Sequence, residues 1–287
     1  MKKSHFKTHL LFYVLITMLL ALIVWTIWGN TALMVNSITV SGNQIPSEFS
    51  GFRIAQISDL HNAEFGEGNS HLLNNLSESK PDMIAITGDL VDAQHTNIDA
   101  ALSFAEKAVQ IAPVYYVTGN HEASLSQYSE LKTGLEAAGV IVLEDKAIQL
   151  EHNGGIVTLM GLSDPNFTIK SNIFDEVPAM ISTKLNDLME NKVGYTILLS
   201  HRPELFDTYV SCGVDLVLSG HAHGGQFRLP LIGGLVAPNQ GFFPKYDAGL
   251  YTDGGTNMVV SRGLGNSIIP LRFNNRPEIV LVELTAD

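Results

Sequence analysis

Asp59, His61, Asp89, Asn120, His201, His221 and His223, with His121 beside them, are the residues of this chain best suited to act together. They offer nitrogen and oxygen donors and no sulfur, the donor set of a hard-to-borderline divalent ion such as Mn²⁺, Fe or Zn²⁺. Eight such side chains are too many for one ion, whereas two ions sharing a carboxylate would use them all. Two ions about 3.5–4 Å apart form the usual clamp for in-line displacement at phosphorus. Single motifs do not carry this reading. With fourteen Asp and ten His in 287 residues, an Asp-x-His arises by chance about half a time, and His121 alone reads as an ordinary satisfied histidine. His221-x-His223 places both imidazoles on one face of an extended segment. The weight lies in the combination, because every one of these residues follows the same kind of element.

That element is a short apolar run ending in Ser or Gly: Phe52–Ser58, Asp82–Gly88, Val114–Gly119, Tyr195–Ser200 and Val214–Gly220. Each reads as a buried strand of an α/β sheet, and ligands of open α/β sheets collect at the carboxyl ends of strands. Between the runs, helical patterns cover His71–Ser79, Ile98–Gln110, Leu125–Ala138, Pro178–Glu190 and Pro203–Val210. Ala101, Leu102, Ala105, Ala108 and Val109 share one face of the second, and Gly139 stops the third. Further strand signals at Ser37–Ser41, Val140–Leu143, Ala147–Leu150 and Ile156–Leu162 include a hairpin turned at Asn153-Gly154-Gly155. The whole is a mixed, multilayer α/β pattern. Gly224–Gly255 is Gly-rich and aromatic, and a loop of that length in a compact domain is usually functional.

The first thirty residues have another character. Leu10–Trp28 is uncharged, interrupted only by Thr17 and Thr26, and a bilayer core of about 30 Å needs roughly 20 apolar residues as a helix. Lys2, Lys3 and Lys7 precede it and no Lys or Arg follows until Arg53, which by the positive-inside rule leaves the N-terminus in the cytoplasm and the rest outside. A cleaved signal is the competing reading, but its apolar region usually runs only about 7–15 residues. The expected division is a cytoplasmic N-terminus (1–9), a transmembrane anchor (10–28), a tether and first strand (29–51) and one α/β domain (52–287). Cys212 is the sole cysteine, so neither a disulfide framework nor a thiolate metal site is available. A net charge of −12 counts against nucleic acid as partner, since phosphate-backbone binding needs clustered Lys and Arg.

In order and spacing, Asp59-x-His61, Gly88-Asp89-x-x-Asp92, Gly119-Asn120-His121-Glu122, His201 and Gly220-His221-x-His223 resemble the calcineurin-like metallophosphoesterases. The likeness runs from about Phe52 to the C-terminus. The N-terminal anchor, the Gly-His-x-His-Gly-Gly-Gln string at 220–226 and Arg262-Gly263-Leu264-Gly265 with Arg272-Phe273 resemble most a bacterial branch of small phosphodiesterase-like proteins. The resemblance implies two mixed β-sheets face to face with helices outside. It implies one metal on Asp59, His61, Asp89 and His223 and another on Asp89, Asn120, His201 and His221, Asp89 bridging. His121 would contact the phosphoryl group or protonate the leaving group.

The expected activity is therefore hydrolysis of a phosphodiester or pyrophosphate by metal-bound hydroxide at the membrane surface, on a substrate within reach of lipid or envelope phosphates. One alternative is a UDP-2,3-diacylglucosamine-type pyrophosphohydrolase of lipid A synthesis, which the outward topology disfavours. Another is a non-catalytic metal-binding scaffold docking a partner through the Gly/aromatic loop. Around the core signature, Asp92 reads either as a carboxylate holding a histidine tautomer or as a surface or capping group. Glu122 reads as a helix-start or orienting residue. Arg262 and Arg272 suit either a substrate phosphate or structural salt bridges. Phe242-Phe243 and Tyr246 could line a cleft, touch the membrane or pack within the loop. His71, His95 and His152 read as solvated.

Overall fold

A computed structural model describes residues 2–169, 176–266 and 270–287, without the side chains of residues 2–8, so the lysines of the topology argument lie outside it. Along the chain come α1 (Lys2–Thr31), β1 (Met34–Ser41), β2 (Arg53–Ile57), α2 (Ser70–Ser79), β3 (Met83–Thr87), α3 (Ile98–Ala108), β4 (Val114–Val117), α4 (Asn120–Ser124), α5 (Tyr128–Ala137), β5 (Ile141–Val142), β6 (Lys146–His152) and β7 (Gly155–Gly161). Then follow α6 (Val177–Met189), β8 (Thr196–Leu199), α7 (Phe206–Ser211), β9 (Leu216–Ser219), the short ladders β10 (Arg228–Leu229) with β11 (Gly233–Gly234) and β12 (Val236–Ala237) with β13 (Gly241–Phe242), and finally β14 (Gly249–Asp253), β15 (Thr256–Val260) and β16 (Glu278–Thr285).

Two six-stranded sheets form, ordered β1-β16-β2-β3-β4-β5 and β14-β15-β9-β8-β7-β6. Both are mixed: β16 runs antiparallel to β2 in the first, and β6 and β14 are the antiparallel edges of the second. Their facing surfaces share one core, with Ile54, Met83, Ala85 and Val117 against Leu159, Ile197, Leu218 and Val259. Outside the first sheet, Leu72 and Leu76 of α2, Phe104 and Ala105 of α3 and Leu131 and Leu135 of α5 cover Ile57, Ile84, Ile86 and Tyr116. Ile181 and Leu185 of α6 and Phe206 and Tyr209 of α7 cover Leu198, Val217 and Met258 of the second. This is a four-layer α/β sandwich. Burial on both faces explains why the strands read as unbroken apolar runs rather than alternating ones: β3, β4, β8 and β9 are buried throughout.

Local chemistry sets the boundaries. Asn97 caps α3 through its side chain, which accepts from Ala100 N at 3.1 Å. Asn153 and Gly154 take φ of 50° and 89° to turn the β6–β7 hairpin, as a two-residue primed turn requires. The expected helix Leu125–Ala138 starts later, as α5 at Tyr128: Leu125 is extended (φ −86°, ψ 119°) and separates it from the short α4. Likewise the expected helix at Pro203 opens with a 3₁₀ turn, Pro203–Leu205, before α7. The loop 224–255 contains the two short ladders and β14.

Two strands extend the first sheet beyond the reading of the sequence. β1 begins at Met34 rather than Ser37, and β16 lies between β1 and β2, pairing with both. In α1, the 23-residue span His9–Thr31 contains an 18-residue window of mean hydropathy 2.6, long and apolar enough to cross a membrane.

Candidate metal centre

The register Ile54↔Met83 through Ile57↔Ile86 brings the ends of β2 and β3 level, and Leu199↔Leu218 does the same for β8 and β9. The loops beyond β2, β3 and β4 therefore meet those beyond β8 and β9 at one edge of the sandwich. Cross-sheet bonds lock the meeting: Gln56 Nε2 donates to Ser219 O at 2.8 Å, and His201 Nδ1 donates to Thr87 O at 2.7 Å. That second bond commits the Nδ1 proton and leaves Nε2 of His201 as a donor atom for a ligand.

All seven expected ligand residues are drawn into this edge. Asp59, His61 and His223 hold ligand atoms within 4.8 Å of one another, and so do Asp89, His201 and His221. In the first group His223 Nε2 is 3.3 Å from Asp59 Oδ1 and 3.3 Å from His61 Nε2. In the second, His201 Nε2 is 3.2 Å from both Asp89 Oδ2 and His221 Nδ1. Asp89 Oδ2 also lies 3.6 Å from His61 Nε2, so one carboxylate oxygen faces both groups. Asn120, at the start of α4, keeps a buried Oδ1 with no hydrogen-bond partner. A buried, unsatisfied amide oxygen costs about 1–3 kcal/mol, and a cation facing it would remove that cost.

The backbone is bent to make this possible. Asp59, His61, Asp89, His221 and His223 all have φ between 47° and 65°, a left-handed conformation costing about 1–3 kcal/mol each where the surroundings do not enforce it. Here they do. Asp59 N donates to Gly88 O (3.0 Å), His61 N to Asp89 O (3.1 Å), and Gly265 N to Asp59 O (2.6 Å). Gly119 is required at the centre, because a Cβ there would sit 2.2 Å from Asp89 Oδ1.

Burial tunes the charges. It pushes His61 down to about 4 and holds His221 and His223 well below the usual imidazole range, leaving three neutral rings. His201 goes the other way: burial opposes its charge, but the Asp89 carboxylate lifts it to about 10. Asp89, against its own burial, is held well below the usual carboxylate range by His201 and His61, while burial raises Asp59 to about 6. Two buried carboxylates thus stand among three neutral imidazoles and a His201 whose Nε2 proton an ion would replace. With an all-N/O donor set and the orphaned Asn120 oxygen, the residues fit divalent cations.

His121 stands at the rim, partly exposed, its ring edge-on to His61 with centroids 4.4 Å apart. Its N–H donates to Asp89 Oδ1 at 2.8 Å, and its Nδ1 accepts from Ala93 N at 3.0 Å. The neutral ring thus carries its proton on Nε2. Asp92 accepts from Gln94 N and His95 N, both at 2.8 Å, with Oδ2 3.7 Å from His121 Nδ1 and 3.8 Å from His61 Nδ1. It combines the capping role with proximity to two site histidines.

The carboxylate of Glu122 binds the loops together. It accepts from Gly119 N (2.7 Å), Asp89 N (2.9 Å), Leu90 N (2.8 Å) and Val91 N (3.3 Å). Burial and the Asp89 carboxylate push it up to about 7, and the N–H donors pull it back. An amide at this position would set an NH₂ against backbone donors. Glu122→Gln is expected to lower kcat/KM about 10–100-fold and stability by about 1–3 kcal/mol, read by steady-state kinetics and thermal unfolding; wild-type values in both would remove Glu122 from this role.

Arg202, next to His201, was not singled out by the sequence, although its place directly after a site histidine was a usable signal. It is buried and forked onto Asp164 (2.6 and 3.0 Å), and Nη1 donates to His221 Nε2 at 3.0 Å, which turns Nδ1 of that ring toward His201. The two flagged arginines part company. Arg272 is buried with its guanidinium turned inward onto Arg262 O (2.8 Å), Gly265 O (2.5 Å) and Asn266 Oδ1 (3.2 Å); it braces the loop beside Asp59 instead of facing a substrate or an acid. Arg262 Nε is 3.7 Å from Glu278, and the side chain, a quarter exposed, lines an open cleft of about 670 Å³. His71 and His95 are exposed, but His152 is half-buried against the rings of Phe49 and Phe52 (5.5 and 4.9 Å). Tyr246 packs on Phe206 and Tyr251 while Phe242 and Phe243 stay exposed.

A two-sheet sandwich with carboxylates and imidazoles converging from five strand ends is the framework of a metal-dependent phosphoesterase. The family model for calcineurin-like phosphoesterases matches residues 52–225. Among curated relatives, an uncharacterized metallophosphoesterase of Bacillus subtilis (strain 168), YkuE, is 30% identical over 251 residues, covering 86% of this chain and 83% of that one. The phosphodiesterase YaeI of Escherichia coli (strain K12) is 29% identical over 238 residues, covering 81% and 82%. A Danio rerio transmembrane protein with a metallophosphoesterase domain is 30% identical over 256 residues, 84% of this chain and 55% of its own. Of solved structures, TT1561 of Thermus thermophilus superposes with a TM-score of 0.52 at 15% identity, covering 75% of this chain and 91% of that one, a likeness of fold. The chain belongs to the calcineurin-like phosphoesterases and is a metal-dependent phosphoester hydrolase.

Proposed function

We propose that the chain is a dinuclear phosphoesterase acting on phosphodiester or pyrophosphate bonds at a membrane surface. Asp59, His61, Asp89 and His223 hold one divalent ion, and Asp89, Asn120, His201 and His221 hold the second. The observation that carries this reading is Asp89 Oδ2, placed 3.2 Å from His201 Nε2 and 3.6 Å from His61 Nε2 with a ligand group on either side. Two bound ions supply a nucleophile from water at neutral pH and offset charge on the phosphoryl oxygens.

The chain's own residues do the rest. Arg202, Glu122 and the Thr87 carbonyl fix the orientation of the ligand side chains and loops. His121 presents its Nε2–H to the substrate as a hydrogen-bond donor to the phosphoryl or departing oxygen, where charge develops. Such preorganised groups need no rearrangement as charge develops, which lets an acidic protein accept an anionic substrate. A diester is favoured over a monoester because the relative YaeI is named a phosphodiesterase.

The anchor is α1, with the N-terminus cytoplasmic and the α/β domain outside, on the strength of its apolar 23-residue stretch and the lysines before it. Hydrolysis of bis-p-nitrophenyl phosphate by the full chain in detergent, with Mn²⁺ and with EDTA, beside p-nitrophenyl phosphate, tests the activity. Faster metal-dependent release from the diester is expected. Faster release from the monoester would overturn the substrate preference.

A further inference from the structure

We infer that the β10–β11 hairpin tip, with Leu271 and Phe273 beside it, is a lipid-contacting surface that seats the domain in the outer face of the bilayer and opens the Arg262 cleft at headgroup level. The inference deepens the proposed function and rests on α1 being an anchor.

α1 does not hang freely from the domain. Asn30 Oδ1 accepts from Arg272 N (2.7 Å), and Asn30 Nδ2 donates to Arg272 O (2.9 Å). Arg276 donates to Ala32 O (2.9 Å) and Leu33 O (2.7 Å), with its guanidinium 4.5 Å over the Trp28 ring. The end of the anchor is therefore fixed in height and direction against the segment 272–276.

The same segment sets Phe273 alongside the helix, where it lines an open apolar recess with Met18, Leu19, Leu22 and Trp25. At 1.5 Å per residue, Leu22 lies about 9 Å below Trp28. If the apolar run spans the hydrocarbon up to Trp28, Phe273 sits inside the outer leaflet, and what is attached to it sits at the interface.

Attached to it is the hairpin. Arg228 N donates to Phe273 O at 3.0 Å, and Asn274 Nδ2 donates to Arg228 O at 3.4 Å. The tip beyond carries Leu231, fully exposed with φ +69°, and Ile232, 62% exposed. A left-handed leucine is uncommon outside glycine and Asn/Asp/His positions, so the backbone is strained in displaying an apolar side chain to its surroundings. Two exposed apolar residues on a hairpin are ordinary by themselves. Their attachment to Phe273, which the anchor places in the leaflet, is what selects lipid as the occupant.

Behind the tip lies the cleft of about 670 Å³, where Arg228, Lys245 and Arg262 meet Leu229, Leu231 and Ile232. Arg228 is paired with Asp247 at 2.9 Å and Lys245 with Asp207 at 3.5 Å. Arg262 lies beside the loop that carries His223, since its Cγ is 3.0 Å from the point a Cβ on Gly224 would occupy. An apolar lip, a wall of ion-paired Arg228 and Lys245 with Arg262, and the loop that carries His223 thus adjoin one another, an arrangement that suits the tail, headgroup and scissile bond of a membrane-borne phosphoester.

The test uses the full chain with Cys212→Ser, reconstituted in vesicles of phosphatidylcholine and phosphatidylglycerol. An environment-sensitive fluorophore is attached singly at Leu231→Cys, at Leu20→Cys within the anchor, and at Asp253→Cys on the exposed β14–β15 turn. Nitroxide-bearing lipid should quench the labels at 231 and 20 at least about two-fold and leave 253 unchanged, as an interfacial depth of roughly 5–10 Å demands. A label at 231 that is quenched by iodide like the one at 253, while 20 reads lipid, overturns the inference and spares the anchor. Protection at 231 from both quenchers points to a protein partner and also overturns it, and a label at 20 that reads water removes the anchor with it. In detergent, the unsubstituted chain should hydrolyse the soluble chromogenic diester; absence of hydrolysis there would sink the proposed activity while leaving the depth result to stand by itself.

Discussion

Asp89→Asn lowers kcat/KM for a phosphodiester by more than about 10⁴-fold, equivalent to at least about 5 kcal/mol of transition-state stabilisation. The asparagine can keep one oxygen on the His121 N–H, which Asp89 Oδ1 accepts at 2.8 Å. It cannot offer an anionic oxygen to both ligand groups, because its other terminal atom is an NH₂ facing His201 and His61. Without that shared charge the repulsion between two dications is uncompensated, so the loss falls on the pair rather than on one ligand. The fold should survive, since Asn tolerates the left-handed φ of 52° that position 89 needs. Kinetics, metal content and thermal unfolding check this together. Turnover within about ten-fold of the unsubstituted chain would mean that Asp89 is not a shared ligand.

His121→Ala produces a different loss. Removing a hydrogen-bond donor aimed at developing negative charge costs about 10²–10³-fold, or about 3–4 kcal/mol of barrier. Metal content should be unchanged, because Nδ1 of His121 is already occupied by the Ala93 N–H and the ring lies outside the two groups that hold the ions in the proposed function. The loss should also depend on the leaving group: severe for an alkoxide, which concentrates charge on its oxygen, and mild for p-nitrophenolate, which delocalises it. Equal losses for the two, or a fall in bound metal, would reassign the residue as a ligand or a structural element.

The fold was legible because burial on both faces of β3, β4, β8 and β9 writes apolar runs that few other structures produce, and because each run hands its next residue to the same edge. What escaped was non-local. β16 has an alternating pattern, visible in Val280, Val282 and Leu284, all buried. Its place between β1 and β2, however, is set by pairing with strands more than two hundred residues earlier. The fork of Arg202 on Asp164 escaped for the same reason, since 38 residues separate partners that meet only once β7 and β8 are side by side. Arg272 illustrates the converse: a motif position with the right chemistry for phosphate, whose donors the fold spends on carbonyls. Glu122 was read as an orienting residue near a helix start; the four N–H groups it gathers from two loops were not visible until those loops were adjacent.

The central claim is that this edge holds two ions sharing Asp89, and electron paramagnetic resonance of the full chain loaded with Mn²⁺ tests it most directly. An exchange-coupled spectrum from ions about 3.5–4 Å apart, replaced in Asp89→Asn by uncoupled Mn²⁺ or none, is the expected result. An uncoupled six-line signal in the unsubstituted chain, at any loading, would contradict the dinuclear centre.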